Sequence, residues 1–188
     1  MDEKQKYEAE KKELNLLIGR GTSFKIDRTI HRRQKGILGF FKKAIVEKET
    51  LFFKIEEPTL STMDRVSDER IELKIDEKAL RGDKGLTEAR KLAKEHSLRC
   101  AKIIALSVLG SEYEIATKVG AAVKYTTDEK RLKELTGIFF HGLKPSTLRD
   151  LVNAIDVMSN LGDFCSSIRL MSMTRTTAPA LVEEDSED

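Results

Sequence analysis

Acid–base or nucleophilic chemistry in this chain would have to run through three histidines, His31, His96 and His141, and two cysteines, Cys100 and Cys165. A hydrolase sets a nucleophile against a base and orients that base with a third group. None of the three histidines belongs to such a motif. His96 and His141 fall on helical stretches beside apolar positions, which favours packed or boundary histidines. Both cysteines lie among apolar residues and read as small core residues rather than reactive thiols. There is no His-Glu-x-x-His, no Cys-x-x-Cys and no acidic calcium loop, so neither a metal ion nor any other cofactor is expected. Gly19-Arg-Gly21 precedes a strand-like run, whereas a dinucleotide loop follows a strand and opens a helix. It reads as a helix stop and a turn into Thr22. No catalytic residue is assigned, and a small-molecule enzyme would require His96 or His141 to face a polar cleft.

Charge is more informative than reactivity. The chain has 34 Lys and Arg against 32 Asp and Glu, a formal net charge of +2. Residues 183–188 hold five acids and no base, while residues 19–54 hold ten bases against three acids. Nearly all the positive excess therefore lies in one segment, and the acidic end reads first as a solubilising tail. Within the basic segment, Phe40 and Phe41 stand beside Lys42 and Lys43. Nucleic-acid binding would place Arg28, Arg32, Arg33, Lys35, Lys42 and Lys43 on phosphates, with Phe40 and Phe41 free to stack on bases. An anionic membrane surface could accept the same segment. Protein docking, or a hairpin tip folded onto its own domain, accounts for the apolar residues more directly.

These side chains need elements to hold them. Residues 2–18 predict a charged helix that turns apolar only at Leu14, Leu16, Leu17 and Ile18. Alternation at Phe24, Ile26 and Ile30, and a β-like run over 50–55, predict two strands that pair as a hairpin around an apolar loop at 36–43. From Pro58 the pattern is helical. One helix is expected through Asp76, capped by Thr59 or Ser61, with Leu60, Met63, Val66, Ile71 and Ile75 on its stripe. A second begins near Leu86 and is apolar on nearly every side from Cys100 to Leu109, as in a helix surrounded by neighbours. Residues 111–127 form a small-residue insert for which a short helix is one option. Thr126-Thr-Asp-Glu129 offers a capping box for a helix through Leu132, Leu135, Ile138, Phe139 and His141. Another starts at Pro145, and a last one carries Phe164, Ile168 and Met171 at helical spacing. The fold class is thus mainly α: a bundle of about five helices over 58–172, a charged helix over 1–18, a basic β-hairpin over 19–57 and a disordered acidic tail over 173–188.

A chain of 188 residues can bury a core without staples, and two distant cysteines suggest no disulfide framework. No apolar run approaches the length of a membrane span, and the first residues are charged where a signal peptide is apolar. A reducing cytosol is expected.

The Pro58-Thr-Leu60 start, the very apolar helix ending in Val108-Leu-Gly-Ser111, and residues 162–172 running into Thr174-Arg-Thr-Thr-Ala-Pro179 resemble small helical proteins of tailed bacteriophages and prophages of gut Bacteroides-type bacteria. The similarity covers roughly residues 50–179 and is to tail assembly chaperones or neighbouring tail-morphogenesis proteins. It implies a non-enzymatic, protein-binding role in virion morphogenesis in the host cytoplasm, with a tape-measure protein or another tail protein as partner. Phe40, Phe41, Phe52 and Phe53, with Phe164, Ile168 and Met171, are the contacts it suggests, although helical spacing alone favours core packing for the last three. Self-association is left open, and nucleic acid is a partner only in the rival reading.

Overall fold

The structure is a computed structural model that describes residues 19–32, 45–82 and 85–172. The expected helix over 1–18, the loop bearing Arg33, Lys35, Phe40, Phe41, Lys42 and Lys43, and the acidic tail lie outside the described residues.

Alternating side chains in β1 (Thr22–Arg32) and β2 (Ile45–Ile55) demand that one face of each strand find cover. The two strands pair antiparallel, Thr22 opposite Ile55 and Phe24 opposite Phe53 through to Arg32 opposite Ile45. One face of the ribbon turns Phe24, Ile26, Leu51, Phe53 and Ile55 inward, with Ile26 and Ile55 buried. Gly21, at φ 69°, makes the turn into β1 that the sequence predicts.

The rest is mostly helical, as expected. It comprises α1 (Leu60–Ile71), the five-residue α2 (Glu77–Arg81), α3 (Gly85–Leu109), α4 (Glu129–Gly142), α5 (Pro145–Ser159) and α6 (Leu161–Ser172). Five of these have twelve residues or more. The C-terminal half of α3 buries Ala101, Ile103 to Ser107 and Leu109, and α1, α4, α5 and β2 pack around it. Leu132, Leu135 and Phe139 project from α4 into this core, and Leu151, Ile155 and Met158 do so from α5. Phe139 is also the meeting point with the hairpin. Its ring lies 4.8 Å from Phe53, edge to face, and 5.8 Å from Phe24. At the end of α4 a Cβ on Gly142 would overlap the buried Ile26 Cγ2, so the absent side chain is what lets β1 lie against the helix.

Three expectations need correction. The first helix stops at Ile71 rather than Asp76, because the Asp76 carboxylate accepts the N–H groups of Lys78 and Ala79 at 2.9 and 3.1 Å and starts α2 instead. One cap falls differently: Thr59, one of the two residues expected, accepts from the Thr62 N–H, but Asp128, not Thr126, accepts from the Arg131 N–H at 2.9 Å. Residues 111–127 contain no α-helix. After a 3₁₀ turn at Gly110–Tyr113 they form a second antiparallel hairpin, β3 (Glu114–Val119) and β4 (Ala122–Thr127). Its two-residue loop begins with Gly120 at φ 62°, the conformation that tight hairpin turns require.

Candidate functional site

The last helix departs most from ordinary packing. Asn160 adopts a left-handed conformation, φ 41°, and ends α5. Its side-chain amide then donates to Asp163 at 2.7 Å across the start of α6. Leu161, Phe164, Ile168 and Met171 follow at spacings of three, four and three, which places them on one stripe of a three-turn helix. A stripe of that kind normally faces a core. Here α6 buries none of its residues: Phe164 is half-buried, Ile168 is 45% exposed and Met171 78%. The core role favoured for Phe164, Ile168 and Met171 is therefore corrected, and so is that of Cys165, which is exposed.

A second apolar surface is a groove of about 390 Å³ between α3, α4 and the start of α5. Leu92, Cys100, Phe139, Phe140 and Leu148 form its walls, joined by Leu73 and Ile75 from the stretch between α1 and α2. His96 lies at its margin, one helical turn from Cys100. Burial pushes the Cys100 thiol above its ordinary range, so the sulfur is held as the protonated, weakly nucleophilic form. The pair offers packing and no activated nucleophile.

Ionisable side chains converge elsewhere, between α1, α3 and α4, on an open cleft of about 720 Å³ bounded by Glu69, Glu95, Arg99, Lys102, Glu129 and Lys133. Two of its carboxylates are engaged from within. Glu69 accepts from Arg99 at 3.1 Å and from Lys102 at 2.6 Å, fastening α1 to α3, and Glu129 accepts from the Tyr113 hydroxyl. Arg65 completes this edge: it is ion-paired with Glu114, and its guanidinium lies 4.8 Å from the centre of the Tyr113 ring. Hydrogen bonding to Arg65 holds the Glu114 carboxyl below its usual range, while burial and the Glu129 carboxylate raise the Tyr113 phenol. His141, expected near the core, is exposed and lines a separate open cleft with Asp27, Arg28 and Glu134, so a histidine does face a polar cleft as a small-molecule enzyme would require; within it Arg28 donates to Glu49 and Asp27 accepts from Thr50. Among the described residues, no group of three or more His, Cys, Asp or Glu could hold a metal ion. No helix among them is long and apolar enough to cross a membrane.

The basic hairpin divides its expected site residues between two faces. Arg28 points the same way as Phe24 and Ile26, and its Nε donates to Glu49 at 2.6 Å. Phe53, expected as a partner contact, is partly buried and packs its ring against Phe24 and Phe139 at the edge of the core. Phe52 lies on the opposite face and is 80% exposed, directly across from Lys25. Neither the α6 stripe nor the Phe52 face was separable from core on spacing alone.

Comparison with protein-family models, with curated proteins and with solved structures returns no match.

Proposed function

We propose that this protein binds other proteins without covalent chemistry, and that it is a tail assembly chaperone whose α6 stripe covers apolar helical segments of a tape-measure protein until the tail tube encloses them. The observation that carries this reading is α6 itself, a complete helix with an apolar stripe at coiled-coil spacing and no buried residue. Apolar area left in water is unfavourable by roughly 25 cal/mol per Å², so a stripe of Leu161, Phe164, Ile168 and Met171 gains from any helix presenting a matching seam. A tape-measure protein is a long helical chain, and its seams would otherwise join each other. The groove at Phe140 and Leu148 gives the same partner a second foothold. The proposed setting is the cytoplasm of a bacterial host, and the resemblance of residues 50–179 to tail-morphogenesis proteins supports it.

Co-expression of the full chain with a tape-measure protein of a tailed bacteriophage tests the reading. We expect the tape measure to stay in the soluble fraction at moderate and high salt, and to be lost from it with Ile168→Asp or Met171→Asp. Both positions are exposed, so these variants should retain the helical circular dichroism of the parent. A tape measure that precipitates with the parent chain, or stays soluble with both variants, overturns the proposal.

A further inference from the structure

The hairpin face that does not touch the core is a second surface, independent of α6. Cross-strand pairing puts Lys25 opposite Phe52, Asp27 opposite Thr50 and Thr29 opposite Lys48, and Lys54 follows Phe52 by two residues on the same side. All of these side chains are exposed, Phe52 to 80%. A lone apolar side chain on a surface is ordinary. This one is an aromatic ring in the middle of a strand pair, with Lys25 directly across from it, Lys54 two residues along its own strand and Lys48 four residues the other way, beyond the Asp27–Thr50 pair. Asp27, the acid on this face, accepts a hydrogen bond from the Thr50 hydroxyl at 2.7 Å, and the Lys54 ammonium pairs with Glu56 at 2.6 Å through two exposed side chains. Such an exposed pair yields readily to a phosphate.

We infer that this face binds single-stranded nucleic acid, Phe52 stacking on a base while Lys25, Lys48 and Lys54 meet the phosphates on either side. Stacking on an aromatic ring needs no particular base, so recognition is of a strand and carries little sequence preference. A purely electrostatic site would have no use for the ring, and an apolar protein contact would not ring it with lysines. Arg28 takes no part, since it is turned to the other face and held by Glu49.

Fluorescence anisotropy of labelled oligothymidine and oligouridine with the full chain tests this, with salt varied in steps. We expect binding whose log affinity falls linearly with log salt, a loss of about tenfold with Phe52→Ala, and a salt slope smaller by about one with Lys25→Gln or Lys48→Gln. Phe52 is exposed, so Phe52→Ala should unfold at the parent's temperature, which separates lost stacking from lost fold. Absence of binding by the parent overturns the inference, as does binding that Phe52→Ala leaves unchanged or that inorganic polyphosphate matches in affinity. Binding to phosphatidylserine vesicles without binding to either oligonucleotide assigns the face to a membrane surface and equally overturns it.

Discussion

Single residues decide how the hairpin meets the helices. The missing side chain at Gly142 leaves room for Ile26, so Gly142→Ala forces an extra carbon into a filled space, at a cost of about 1–3 kcal/mol. Chemical denaturation should show that loss, and adding Ile26→Ala should cost less than the two changes summed, because the double variant removes the overlap. Charge acts at the same scale where β3 begins. Arg65 keeps the folded Glu114 carboxyl below the ordinary value of 4.5, so their pairing contributes stability fully present above that value and lost as the pH falls through the lower folded one. Urea midpoints of the parent and of Glu114→Gln should therefore differ near neutrality and converge on acidification. A gap that persists at acid pH would mean that the pair acts through packing alone. At this scale the sequence was least legible. The resemblance grouped Phe52 and Phe53 together as partner contacts, yet neighbours in a strand point to opposite faces, and they separate into a surface ring and a core ring.

Elements were easier to read wherever burial imposed a period. The heart of α3, apolar on nearly every side, is buried as its pattern predicts, and α4 and α5 place Leu132, Leu135, Phe139, Leu151, Ile155 and Met158 inward. Where nothing is buried the period carries no message. β3 and β4 are exposed along almost their whole length, so no alternation marks them; Ile115, Thr117, Val119 and Val123 around Gly120 were the available sign, being β-branched residues on either side of a turn-former. The break after Ile71 was equally hidden, because Ile75 continues the helical spacing while Asp76 withdraws backbone donors from it. Asp128 performs the corresponding service for α4. Replacing it with Ala should cost about 0.5–2 kcal/mol, measurable as a lower unfolding temperature, with α4 fraying from its first turn. An unchanged temperature would show that packing of Leu132 and Leu135 holds that end unaided.

On the scale of the whole molecule, the charge asymmetry read from the sequence becomes a matter of sides. The inner face of the hairpin is joined to the helical core, and its outer face carries the lysines, while α6 presents its apolar stripe at the far end of the described chain. The two surfaces rest on different chemistry, so they should respond differently to salt, contact through α6 persisting where contact through the lysines fades. The aromatic junction bears on how the chain is made. Phe24 and Phe53 are translated long before Phe139, so during synthesis on the ribosome the inner face of the hairpin has no lid until α4 emerges. A nascent chain stalled before that helix would expose the very rings the finished protein hides, and would be a natural client of the cell's general holdases.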